Sequence, residues 1–110
     1  MNVEQITKKF NLSVFCISNE KAEILNYYAG DLLDVVMTHA KEGTLWLTVM
    51  NDVNVAATAK LTNMAAVLFC EGTIPNDVLL SKSKQQGIAL LGTNKSIFDM
   101  AAVLSTTKNN

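Results

Sequence analysis

The sequence predicts an α/β protein, a single domain built on an open, mainly parallel sheet flanked by helices. Three observations carry that prediction. From Thr44 onward, short runs of β-forming residues alternate with helical segments of about ten residues, the length a crossover between parallel neighbours requires. Ala65–Cys70 and Ile88–Leu91 are continuously apolar, the pattern of strands buried on both faces. Glycines, asparagines and aspartates fall where these segments meet, at positions suited to caps and turns.

The elements follow in order. Val3, Ile6 and Phe10 form one helical stripe that Asn11 ends, and Ser13–Ser18 reads as a strand. After a polar turn at Asn19-Glu20-Lys21, Glu23–Tyr28 reads as a second strand, although Glu23-Ile24-Leu25-Asn26 also fits a helix. Asp31 is placed to cap a helix over Leu32–Lys41, with Asp34 adding negative charge to its first turn. Gly43 suits a left-handed cap at the end of that helix. Thr44–Met50 is a strand by content, and Asn51-Asp52 can cap a helix from Val53 to about Leu61. Thr73-Ile74-Pro75 opens a further helix, with Gly87 just past its end. Thr93 or Asn94 caps a last helix running to about Leu104, and Thr106–Asn110 is a polar tail.

Composition narrows the function. Of 110 residues 49% are apolar, enough for a core without disulfides or metal, and only 17% are charged against an average near ~25%. The formal charge is −1 and every basic residue is lysine, which argues against nucleic-acid binding through arginine forks and a basic face. The opening residues Met1–Gln5 lack the pattern of a secretory signal, and the run Met64–Cys70 is far shorter than the ~20 residues of a membrane helix. Cys16 and Cys70 sit in apolar segments, as buried reduced thiols of a cytoplasmic protein do. His39 is the sole histidine and no metal-ligand spacing is present, so neither metal nor cofactor is expected.

Gly87-Ile88-Ala89-Leu90-Leu91-Gly92 has the glycine spacing of a phosphate-binding P-loop. Thr93 stands where that motif needs lysine, however, and the four residues between the glycines are the apolar strand itself. Nucleotide hydrolysis is not expected from it. Position is more informative, because ligands of open parallel sheets bind beyond the carboxyl ends of the strands. The candidates there are Asn51, Asp52, Asn54, Glu71, Gly72, Thr73, Gly92 and Thr93, beside helix N-termini that attract anions. Helix capping explains Asp31, Asp34, Asp52 and Asp77 without catalysis. The helix Leu32–Lys41 is apolar over more than one stripe, which suggests a homodimer through Leu32, Val35, Val36 and His39.

Two blocks resemble a known family. Tyr28-Ala29-Gly30-Asp31-Leu32-Leu33-Asp34-Val35-Val36-Met37 and Ala40-Lys41-Glu42-Gly43-Thr44-Leu45-Trp46-Leu47-Thr48 resemble the helix and following strand of small stand-alone DRTGG-domain proteins. Ala66–Pro75 and Gly87–Thr93 are similar to that family's later strand, turn and helix order. The resemblance implies a fold like the N-terminal domain of HPr kinase/phosphorylase, without its kinase half. The namesake D-R-T-G-G region reads Asp52-Val53-Asn54-Val55-Ala56 here, keeping the aspartate but neither arginine nor glycines. The expected function is a non-catalytic regulatory or interaction module, homodimeric, taking a small anionic or nucleotide-like ligand at the strand ends. The alternatives are a small phosphotransfer or hydrolytic enzyme using Asp52 and His39 with a partner's residues, or a scaffold subunit docking on a larger metabolic or redox enzyme.

Overall fold

The alternating segments fold, in a computed structural model that describes residues 1–108, into a five-stranded mixed sheet covered by helices on both faces. The elements run α1 (Val3–Lys9), β1 (Ser13–Cys16), β2 (Asn26–Ala29), α2 (Leu33–His39), β3 (Thr44–Thr48), α3 (Asn54–Leu61), β4 (Ala66–Phe69), α4 (Asp77–Gln86), β5 (Leu90–Gly92) and α5 (Ile97–Lys108). The strand order is β1-β5-β4-β3-β2. β2, β3, β4 and β5 are mutually parallel, and β1 joins β5 antiparallel.

Successive parallel strands step across the sheet in one direction, so crossovers of one hand place α2, α3 and α4 on the same face. There Val36, Val55, Ala59 and Leu79 pack on Trp46, Val67 and Phe69. α1 and α5 cover the other face, where Val3, Ile6, Met100 and Leu104 pack on Leu45, Leu47 and Leu68. Adjacent residues of β3 and β4 thus enter opposite cores, which is why β4 is apolar throughout and β3 is apolar at its three central positions. The one polar residue type in them, threonine at 44 and 48, is buried and hydrogen-bonded.

Local differences from the sequence reading have identifiable causes. β2 begins at Asn26, because Glu23 is occupied in an isolated bridge with Asn2 and Ile24 turns into the α1–α5 core. α1 is capped by Asn2, whose side chain accepts the Gln5 amide while Gln5 reaches back to the Asn2 amide. Asp31 does not cap α2; the capping residue is Leu32, and the Asp31 carboxylate turns to the end of β3 instead. α2 ends at His39, so Gly43 (φ +77°) is not its cap but the turn into β3, donating to Asn63 and accepting from Leu25. Pro75 precedes α4, where the Asn76 side chain accepts the Leu79 amide as the cap, while Gly87 (φ +70°) ends that helix as expected. Ser96, rather than Thr93 or Asn94, accepts an α5 amide, that of Asp99. α5 continues to Lys108, so only Asn109 and Asn110 of the expected tail lie beyond it, outside the described residues. No helix among the described residues is long and apolar enough to cross a membrane.

Both cysteines are free thiols. Cys70 is buried, and burial together with nearby Glu71 and Asp31 pushes its thiol up to about 11. Cys16 is half-buried, its thiol donates to the Ile88 carbonyl at 3.1 Å, and burial raises its pKa as well. Neither is held as a thiolate.

Candidate functional site at the carboxyl edge of the sheet

The carboxyl ends of the parallel strands form one edge of the molecule. At the β4–β5 end lies an open cleft of about 370 Å³. The loops above these strands continue the strand pairing: Thr93 donates to the Phe69 carbonyl (2.9 Å), Gly72 to Thr93 (3.0 Å) and Glu71 to Lys95 (2.8 Å). Glu71 and Gly72 both adopt left-handed backbone (φ +60° and +69°), which turns the chain sharply enough to make these bonds. Two loops are thereby fastened into one wall.

The opposite wall comes from α1 and β1, because β1 runs antiparallel and brings its first residues to this edge. Phe10, Asn11 and Ser13 line it. The register of β1 on β5 slips between Val14 and Cys16, so Phe15 is the extra residue of a β-bulge. Its ring lies against Gly92, where an added Cβ would stand 2.6 Å from the ring. An edge-to-face contact with Phe69, at 6.4 Å between centroids, fixes the ring's tilt. Gly92 is therefore required by the bulge rather than by its own backbone angle.

Of the residues expected at the strand ends, Gly72, Thr73, Gly92 and Thr93 line this cleft. Asn51, Asp52 and Asn54 do not. Asn51 accepts the Asn76 amide at 2.7 Å and through its carbonyl takes the Asn76 side chain at 3.0 Å, so it anchors the start of α4. Asp52 accepts the Asn54 amide at 2.7 Å, a turn contact at the start of α3. Glu71 stands beside the cleft without lining it. The loop amides of Glu71, Gly72, Thr73 and Thr93 are spent on backbone carbonyls. Phe10, Asn11, Ser13, Phe15, Ile74, Asn94 and Lys95 went unforeseen, since nothing in the sequence reveals that β1 flanks β5.

On α2, Leu32 is 66% and Val35 40% exposed, and His39 is exposed with its ring stacked on Tyr28 at 5.7 Å. Val36 corrects the expected surface: it is fully buried against the sheet and belongs to the core. His39 closes α2 at the amino edge of the sheet, whereas Asp52 follows β3 at the carboxyl edge. The fold therefore places these two residues at opposite edges of the sheet. Among the described residues no group of three or more histidine, cysteine or carboxylate side chains is placed to hold a metal ion.

The architecture defines an α/β domain of DRTGG-like fold. It superposes on the crystal structure of the CBS and DRTGG domains of the regulatory region of Clostridium perfringens pyrophosphatase, complexed with the activator diadenosine tetraphosphate. The TM-score is 0.75 at 12% identity, over 92% of this chain and 44% of that one. The chain thus spans less than half the length of that neighbour. No protein-family model matches the sequence, and neither does any curated protein.

Proposed function

We propose that the protein is a non-catalytic regulatory module that binds a small ligand in the carboxyl-edge cleft and acts as a homodimer in the cytoplasm. The observation that carries this reading is the cleft itself: two interlocked loops face an aromatic wall set by a bulge and a glycine that admits no side chain. Its volume falls near the small end of the ~300–1,000 Å³ range of small-molecule sites. The structural neighbour supports the reading as part of a regulatory region crystallised with a nucleotide activator. On this reading the relationship extends to the N-terminal domain of HPr kinase/phosphorylase without kinase chemistry. Regulation would work by population shift, the ligand binding one dimer arrangement better than another.

A thermal-shift screen against nucleosides, nucleotides, dinucleotides and phosphorylated metabolites tests the ligand. A compound at ~100 times its dissociation constant adds ~2.7 kcal/mol of stability. A raised melting point that Thr73→Trp abolishes, by filling the cleft, is the expected result; a stabilisation unaffected by Thr73→Trp overturns the site. A flat screen overturns the ligand and favours a second reading. Ile74 (67% exposed) and Phe98 (79% exposed) stand on the same edge, as a surface for docking a larger protein would require.

A further inference from the structure

Resting on the reading of the cleft as a ligand site, we propose that its ligand is a nucleoside or nucleoside monophosphate, with polyphosphates excluded by the electrostatics of the edge. Two features define the aromatic part. The Phe15 ring is held in place by the bulge, by Gly92 and by Phe69, and Phe10 stands on the same wall. A fixed aromatic surface favours a planar heteroaromatic ring, which stacks at little entropic cost. Asn11 and Asn94 supply side-chain amides, each with donors and an acceptor, the groups that read the edge of a base.

Charge sets the upper limit on phosphate. Lys95 is the single charged side chain among the described residues that line the cleft. Tight polyphosphate sites use several cations or a loop of free amides. Here the sequence holds no arginine, and the amides of Glu71, Gly72, Thr73 and Thr93 already donate to carbonyls. Glu71 adjoins the cleft, and Asp77 and Asp99 occupy the first turns of α4 and α5. One lysine can balance one phosphate; each further phosphate would enter the cleft without a cation to pair with.

Isothermal titration of the full chain with adenosine, guanosine, uridine, their monophosphates, ATP, diadenosine tetraphosphate and inorganic pyrophosphate decides the matter. The expected result is that a nucleoside or its monophosphate binds, that ATP and diadenosine tetraphosphate bind more weakly than that monophosphate, and that pyrophosphate does not bind. Phe15→Leu should weaken the nucleoside roughly tenfold, and Lys95→Ala should weaken the monophosphate while sparing the nucleoside. Asn94→Ala, at an exposed position, provides a second test should Phe15→Leu fold poorly, and should also weaken the nucleoside. Tighter binding of ATP than of AMP, binding of pyrophosphate alone, or nucleoside binding indifferent to both Phe15→Leu and Asn94→Ala overturns the inference. If a non-aromatic metabolite binds and Thr73→Trp blocks it, the inference fails while the cleft remains a ligand site. If no compound binds at all, both fail.

Discussion

Asp31 and Thr48 join the end of β2 to the end of β3: the buried Thr48 hydroxyl donates to the Asp31 carboxylate at 2.6 Å. The same oxygen accepts the Val49 amide at 2.9 Å, and Thr48 in turn accepts the Met50 amide at 3.1 Å. Next to this chain of bonds the Trp46 indole donates to the Gly30 carbonyl at 2.8 Å. The turn into α2 is therefore clamped to β3 by side chains where pairing of the strands stops. Asp31→Ala should cost ~1–2 kcal/mol in urea denaturation, since it leaves the Thr48 hydroxyl without its acceptor. Asp31→Asn should cost less, because the amide oxygen still accepts.

Two glycines with similar positive φ should respond differently to alanine. At Gly87 (φ +70°) an added Cβ would meet only Ser18, at an ordinary 3.7 Å, so Gly87→Ala should cost ~1–2 kcal/mol from backbone strain alone. At Gly43 (φ +77°) the Cβ would stand 2.7 Å from Leu25, which must move. Gly43→Ala should therefore lower the denaturation midpoint more than Gly87→Ala does. Equal losses would mean that Leu25 relocates freely.

The dimer surface can be tested at Val35. The residue is 40% exposed, so Val35→Glu should leave the monomer fold intact by circular dichroism. If α2 forms the interface, the variant should elute as a monomer in light-scattering chromatography, because an unpaired charge at a buried contact is costly. An unchanged dimer would exclude this face.

Alkaline pH should weaken the fold through Cys70. Its thiol is raised from 9.0 to about 11 in the native state, so above pH 9 the unfolded chain releases a proton that the folded chain retains. Stability contributed by the neutral thiol is complete below pH 9 and declines as pH rises toward 11. Cys16 and Tyr27 are raised by burial too and act in the same direction. Denaturation midpoints from pH 8 to 10.5 (roughly the window these shifts define) should fall less steeply in Cys70→Ala than in the parent chain.

Ser83 is fully buried on α4, and its hydroxyl has no hydrogen-bond partner among the described residues. Removing an unsatisfied buried group carries little penalty and can relieve its desolvation. Ser83→Ala should keep or raise the melting temperature by calorimetry; a loss above ~1 kcal/mol would show that the hydroxyl is in fact satisfied.

The sequence by itself determined the α/β alternation, the two-sided burial of β4 and the end of α4 at Gly87. Those signals are local: apolar runs, cap residues and a glycine such as Gly87 act through the few residues around them. It also located Gly72, Thr73, Gly92 and Thr93 at the carboxyl ends of parallel strands, because those ends follow from element order. Tertiary structure alone decided that β1 pairs antiparallel with β5, that a bulge presents Phe15 to Gly92, and that Asp31 serves β3 instead of α2. It also decided that Val36 points inward while Leu32 and Val35 remain exposed. Each of these depends on which distant segment becomes a neighbour, and the free energy of that choice resides in contacts between residues up to about eighty positions apart, such as Ser13 and Gly92.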